Sequence, residues 1–327
     1  MKTLARIVLP LASLLCCATA SAGELKPQVI EDAKLETIGK EPPPKPAPHP
    51  DPAIVRLQVL LDRAGSSPGV IDGFDGDNVR KAVAGFESMH DLPVDGALDP
   101  EVIGRLKDGK PVMRTVEIRQ EDVDLLVESI PEDFEEQAKL GHLGYVSIPE
   151  MLSERFHMDI DLVRAFNPGA TFEAGETVSV VEPGQPIAER AVRRIEADKR
   201  NGQVRAYAED GTLIAVYPAT IGSEETPSPT GTHKVKGVAR TPTYTYDPER
   251  NFQQGDNTEK LILPEGPNNP VGTVWIDLTE PTYGIHGTPE PSLIDKVGSH
   301  GCIRLANWDA EELSELVKPG VTVEFVE

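Results

Sequence analysis

Cys302 sits in SHGCIRLANWD, residues 299 to 309, with His300 two positions before it and Arg304 two positions after. A second histidine, His286 of YGIHGTPEP, stands sixteen positions upstream. A thiol and an imidazole are the minimum for nucleophilic cysteine chemistry. A free thiol with a pKa of about 8.5 is mostly protonated at neutral pH, so a hydrogen-bonded imidazole raises the thiolate fraction and returns a proton to the leaving group. Gly287 and Gly301 leave backbone open, which suits amide N–H groups aimed at a developing oxyanion. If the chain is extended, His300 shares a face with Cys302, but an adjacent turn would undo that. Arg304 either holds a substrate carboxylate in bidentate fashion or braces Asp309 or Glu311. Ser299 and Tyr283 are further candidate substrate contacts, and Ser299, like Asn307, also reads as a local hydrogen-bonder. A zinc site built from His286, His300 and Cys302 is the chemical rival, since imidazole and thiolate are good zinc ligands.

Something must export and position this thiol. Lys2 and Arg6 precede an apolar run, Ile7 to Ala18, that ends in ATASAG. That pattern reads as a secretory signal peptide, residues 1–22, cleaved after Ala22, and it is too short for a membrane anchor. Cys16 and Cys17 leave with it, so Cys302 remains without a disulfide partner in a compartment that favours disulfides. The formal net charge of −22 over 327 residues argues against nucleic acid or anionic membrane as a partner. The expectation is an acidic periplasmic or cell-surface protein.

Residues 23–52 are polar and then proline-dense, EPPPKPAPHPDP, and predict an extended tether. From 53 to 107, Ile54, Leu57, Leu60 and Leu61, then Val79, Val83 and Phe86, recur at helical spacing between Asp72-Gly73 and Asp95-Gly96 turns. These predict a small three-helix unit. Residues 108–190 suggest two helices, an Asn-Pro-Gly turn and a strand, with ESIPEDFEEQAKLG read as an acidic, solvated helix. From 191 to 327 the pattern alternates around Asn201-Gly202 and Asp210-Gly211 hairpin signals. TVWIDLTEPTYGI reads as one apolar strand ending at His286, and Asp309 with Glu312 as a capping box for a single helix. Lys318, Pro319 and Gly320 would stop that helix before a closing strand. The fold class is therefore multidomain α+β: a three-helix N-terminal unit and a mostly-β C-terminal sandwich or barrel with one helix.

Three resemblances bear on function. LQVLL, GVIDGFDG and LPVDGALD resemble the type 1 peptidoglycan-binding domain, and residues 108–190 resemble the later part of a LysM glycan-binding module. IHGTPEPSLIDKVGSHGCIRLANWDAEEL, with TPSPTGTHKV and GPNNPVGTVWIDL in order upstream, closely resembles the signature of the YkuD-type L,D-transpeptidases. That resemblance implies Cys302 as nucleophile and His286 as base and acid, oriented by a backbone carbonyl near Gly287. It also implies His300 in support and the N–H groups of Gly301 and Cys302 as oxyanion donors. It implies a YkuD-like β fold and a reaction on peptidoglycan. Cys302 attacks the third-residue carbonyl of a stem tetrapeptide, D-alanine leaves, and a thioester passes its acyl group to a stem amine, to a lysine of an outer-membrane lipoprotein, or to water. No cofactor or metal is implied, and carbapenems are expected to acylate the thiol. Papain-like and NlpC-type peptidases place Cys before His, the reverse of the order here. An inactive wall-binding protein is the remaining alternative.

Overall fold

The computed structural model describes residues 25–39, 49–187, 191–249 and 252–327. The expected signal peptide, Cys16, Cys17 and most of the proline run lie outside them. Residues 25–39, expected as tether, are instead folded: α1 (Pro27–Glu31) and a 3-10 turn (Leu35–Thr37) bury Ile30 and Leu35. Glu31 fixes them, its Oε1 accepting the N–H groups of Val112 and Met113 at 2.8 Å each. Two apolar side chains and one carboxylate suffice to dock a stretch that composition alone reads as polar.

The expected three helices follow as α2 (Pro52–Arg63), α3 (Asp77–Met89) and α4 (Pro100–Leu106). Asp51 and Asp99 cap α2 and α4 through side-chain oxygens that accept first-turn N–H groups. Gly73 and Gly96 take positive φ in the two Asp-Gly turns. Each turn is tied to the helix before it by a buried side chain. Gln58 Oε1 accepts from Gly73 N at 2.8 Å, and Glu87 Oε2 from Gly96 N at 2.8 Å.

The segment between the helical unit and the C-terminal domain runs β1 (Met113–Glu117), α5 (Gln120–Asp124), α6 (Phe134–Gln137), α7 (Ile148–Arg155), α8 (Ile160–Phe166) and β2 (Thr177–Val181). β1 pairs antiparallel with β2, supplying an opening strand that the sequence did not reveal. Its apolar side chains join those of the helical unit in one core, from Ile30 to Val181. ESIPEDFEEQAKLG is not a solvated helix: only Phe134–Gln137 is helical, and Phe134 and Gln137 are buried.

The C-terminal strands are β3 (Arg194–Asp198), β4 (Gln203–Tyr207), β5 (Leu213–Pro218), β6 (Thr220–Ile221), β7 (Gly231–Arg240), β8 (Tyr244–Tyr246), β9 (Leu261–Leu263), β10 (Val274–Leu278), β11 (Gly284–His286), β12 (Ile303–Arg304) and β13 (Thr322–Val326). Nine of them form one sheet in the order β5-β4-β3-β13-β7-β10-β11-β12-β6. Its edge strands β5 and β6 are separated in sequence only by Ala219, so the sheet curls nearly closed. Strand β7 joins the halves, pairing with β13 through residues 231–234 and with β10 through residues 235–240. Helix α9 (Asn307–Leu316) packs Ala310 and Leu313 into this core beside Ile276 and Ile285, and the chain closes on β13. The expected capping box is absent: the N-cap is Ala306, and Asp309 lies within the first turn, buried against the upstream segment. β8 and β9 form a separate hairpin.

Candidate active site

The apolar run expected as one strand is two. β10 and β11 pair antiparallel around residues 279–283, with Trp275 opposite His286 and Asp277 opposite Gly284. β12 then lies parallel to β11, Ile285 beside Ile303 and His286 beside Arg304. A parallel neighbour requires a crossover of a dozen or more residues. The sixteen-position interval between histidine and cysteine is that crossover.

Register decides which side chains meet. Ile285 and Ile303 face the core with no exposure. By alternation, Trp275, His286 and Arg304 share the other face, and Cys302, one residue ahead of β12 and beside Gly284, lies on it too. Strand spacing and a two-residue rise put the Cα atoms of His286 and Cys302 roughly 8 Å apart, within reach of a ring and a thiol that both lean inward. A Cβ at Gly284 would lie 2.6 Å from Trp275 Cζ2, so only glycine lets the indole cover this corner.

His286 is buried and stacks on Trp275, ring centroids 5.5 Å apart and 21° from parallel. Its Nδ1 is 2.7 Å from the Gly287 carbonyl oxygen. That bond places the ring hydrogen on Nδ1 and leaves Nε2 as an acceptor. Burial pushes the imidazole pKa down to about 4, against the help of the Gly287 carbonyl. The partly buried Cys302 thiol is pushed up, chiefly by burial, while the Gly284 N–H and Arg304 pull the other way. Both partners therefore rest neutral at pH 7, and the thiol's hydrogen bond goes to the Thr282 carbonyl at 3.8 Å.

The Cys302 loop is built from within. Ser299, only 2% exposed, donates from Oγ to the Cys302 carbonyl at 2.6 Å and accepts from Gly222 N at 2.8 Å. Its hydroxyl is thus committed to the loop rather than to a substrate. Gly301 has φ +102°, and a Cβ there would meet the Tyr283 ring at 2.6 Å. Tyr283 is the outer wall of this turn. In the same turn His300 stacks on Phe252 at 4.4 Å and 15°. Arg304 Nη2 lies 3.4 Å from His300 Nδ1. It does not brace Asp309 or Glu311: Asp309 faces Asp62 and Ser67, and Glu311 accepts from Thr273 Oγ1 at 2.6 Å. Burial lowers the Arg304 pKa, and Cys302 and Glu290 act in the opposite sense. Among the described residues no group of three or more His, Cys, Asp or Glu side chains is arranged to hold a metal ion.

Two contributors were not read from the sequence: Trp275, which covers His286, and Phe252, which stacks on His300. Asn307, expected as a local hydrogen-bonder, underlies the histidine's support. A Cβ at Gly287 would fall 2.1 Å from Asn307 Oδ1, and one at Gly272 2.0 Å from it. Asn307 also donates to the Pro267 carbonyl at 3.2 Å, so it locks two backbone crossings behind the carbonyl that orients His286. The paired glycines in PVGTVW and IHGT were the available signal.

A curled sheet that carries a thiol and a ring-locked imidazole on adjacent parallel strands defines a cysteine-histidine site on a β scaffold. The family profile described as L,D-transpeptidase catalytic domain matches residues 192–325, and a peptidoglycan-binding domain profile matches residues 50–106. The YkuD protein of Bacillus licheniformis, assigned as an L,D-transpeptidase, is 31% identical over 155 residues, 47% of this chain and 77% of that one. YbiS of Escherichia coli K12, assigned likewise, is 28% identical over 200 residues, 58% of this chain and 65% of that one. Among solved structures, L,D-transpeptidase 3 of Mycobacterium tuberculosis overlaps at TM-score 0.34 and 19% identity, covering 47% of this chain and 76% of that one. The chain belongs to the YkuD family of L,D-transpeptidases.

Proposed function

We propose that Cys302 is the acyl-accepting nucleophile of a peptidoglycan L,D-transpeptidase and His286 its proton carrier. The observation that carries this is the parallel β11–β12 pair, which sets the two side chains on one face while the Gly287 carbonyl leaves Nε2 free to accept. Because burial keeps the ring and the thiol neutral, the proton moves as sulfur attacks, not before.

Sulfur adds to the third-residue carbonyl of a stem tetrapeptide as the thiol proton passes to His286 Nε2. The N–H groups of Gly301 and Cys302 receive the oxyanion on the turn that glycine alone permits. The C–N bond breaks, the imidazolium returns its proton to the departing D-alanine amine, and a thioester remains. An incoming amine, from a neighbouring stem or a lipoprotein lysine, attacks the thioester. It gives its proton to His286, which re-protonates the sulfur as the new amide forms; water in the same place yields a free acid. Arg304, without a carboxylate partner among the described residues, is the group to hold the donor's carboxylate.

The helical unit and the LysM-like segment would keep this site on the wall and raise its effective concentration there. An export signal at residues 1–22 would deliver it to the periplasm. The deciding experiment incubates the protein with a disaccharide-tetrapeptide, with and without a lysine peptide, and reads products and thioester by mass. Cys302→Ala is expected to abolish products and carbapenem adducts while still sedimenting with sacculi. Turnover retained in that variant overturns the assignment.

A further inference from the structure

Residues 131–143 precede the segment matched by the catalytic profile, yet they are built into the wall of the Cys302 site. Phe134, 8% exposed, meets three aromatic rings of the β8–β9 hairpin and its connection edge-on: Tyr244 at 6.1 Å, Tyr246 at 5.4 Å and Phe252 at 6.1 Å. With Leu143 and Leu263 these form a small core separate from the two large ones. Amide bonds fix the register. Gln254 Oε1 accepts from Phe134 N at 3.1 Å while its Nε2 donates to the Glu132 carbonyl at 2.9 Å. Leu143 N donates to the Glu265 carbonyl at 2.9 Å and Asn268 N to the Leu143 carbonyl at 3.0 Å. At Gly266, φ +144°, a Cβ would fall 2.2 Å from the Leu143 oxygen, so the two backbones are in direct contact.

The other side of this small core is the active site. Phe252, packed on Phe134, stacks on His300, which neighbours Arg304. Tyr244 is near enough to Cys302 and Arg304 for both to bias its ionisation. A two-stranded hairpin is marginal by itself. Phe134 and Leu143, with Ile130 and Leu140 packed beside them, supply its apolar backing from the upstream segment, and Phe134 is the one that meets its aromatic rings.

We propose that residues 131–143 act as a strap that holds the β8–β9 hairpin against His300, making Phe134 a positioning residue for the donor-binding wall of the cleft. The strap sets how well the stem peptide is held and leaves the chemistry of the thiol and imidazole unchanged. It thereby links the wall-binding half of the chain to substrate capture. The inference rests on Cys302 being the nucleophile.

The test uses the full mature chain and a disaccharide-tetrapeptide donor. Phe134→Ala is expected to raise KM about tenfold with kcat within about threefold, because it removes binding and not transition-state contacts. Alkylation of Cys302 by iodoacetamide, too small to need the wall, stays at the wild-type rate, and Phe134→Leu restores most of the KM. Phe252→Ala gives a similar KM, and the double variant is no worse than either single one. Should Phe134→Ala not fold, Gln254→Leu cuts the same attachment from the hairpin side. An unchanged KM, additive effects, or a fall in kcat and alkylation together with KM overturns the strap. Turnover by Cys302→Ala would instead remove the reading beneath it, whatever Phe134 does.

Discussion

Among the places where the upstream half of the chain grips the catalytic domain, two are of opposite chemistry. At the strap, the contact is aromatic rings and neutral amides around Phe134 and Gln254. At α9 it is a seam of ionisable groups. His157 lies 3.2 Å from both Asp62 oxygens and stacks on Trp308 at 5.2 Å and 8°. Asp62 also accepts from Gly184 N at 2.9 Å, and Glu312 accepts from Tyr217 Oη at 2.8 Å. Asp309 Oδ2 and Trp308 Nε1 are buried there without a hydrogen-bond partner, beside a cavity of ≈ 390 Å³. Close-packed rings tolerate any pH, whereas buried carboxylates exact a desolvation cost that protons relieve. The strap is thus the constant grip, and the seam is the one that solution conditions loosen.

The largest expected effect breaks the seam. His157→Ala leaves the buried Asp62 without the imidazole that faces it and uncovers Trp308, and should lower stability by about 3 kcal/mol at pH 7. Adding Asp62→Asn should recover much of that loss in the thermal midpoint, because the stranded charge goes with it. If the double variant is no better than the single one, ring stacking alone holds the seam.

These grips also mark where the sequence was legible. The three helices, the hairpins at Gly202 and Gly211, and the helix-then-strand ending at Gly320 follow from local signals, periodicity and left-handed glycines. The thiol and imidazole of Cys302 and His286 stood out by residue type and motif, and their sixteen-position interval is realised as the crossover between the parallel strands β11 and β12. What stayed hidden depends on partners far along the chain. Phe134 sits in an acidic stretch whose composition says solvent, and its ring finds Tyr246 more than a hundred residues on. Asp309 looked like part of a capping box because Asp is common there, but its oxygens face Asp62 and Ser67 of another segment. Ile30 and Leu35 are two apolar residues in a polar run, too few to signal docking.

Acidity distinguishes the two grips next. Burial raises the pKa of Asp309 and Glu312, and that of Glu154, held near Asn307 and crowded by Glu311 and Glu150, to about 8. His157 is also raised, its own burial outweighed by Asp62 and the neighbouring Asp309 and Glu312. In each case the folded state holds a proton that the unfolded chain has released. For the carboxyls this window opens near pH 4 and for His157 near 6.5, so stability falls as pH rises through it. The slope is about 1.4 kcal/mol per pH unit for each such proton. The thermal midpoint should therefore drop as pH rises from about 4.5 through about 8, the span of the Glu154 window, with His157 adding to the decline above about 6.5. Asp309→Asn or Glu154→Gln should flatten the decline. Phe134→Leu should shift the curve down by about 1 kcal/mol at every pH and leave its slope alone. A strap variant that changes the slope would erase the distinction.

The smallest effect comes from a third contact that belongs to neither grip. Lys81 of α3 pairs with Asp295 in the loop leading to Ser299, with both side chains partly open to water. Burial raises the Asp295 carboxyl and Lys81 lowers it, and Asp295 is also tethered by its own N–H to Thr220 Oγ1 at 2.9 Å. A pair in contact with solvent gains little over its hydrated partners, and mobile ions screen what it gains. Lys81→Ala should therefore lower stability by about 0.5 kcal/mol at low ionic strength and by nothing measurable at about 1 M salt. His157→Ala should keep most of its effect under the same salt, because the Asp62 side chain is only 6% exposed and is screened less than a surface pair. Equal salt sensitivity of the two variants would mean that the seam is as wet as the surface pair, and its pH dependence would then have to arise elsewhere.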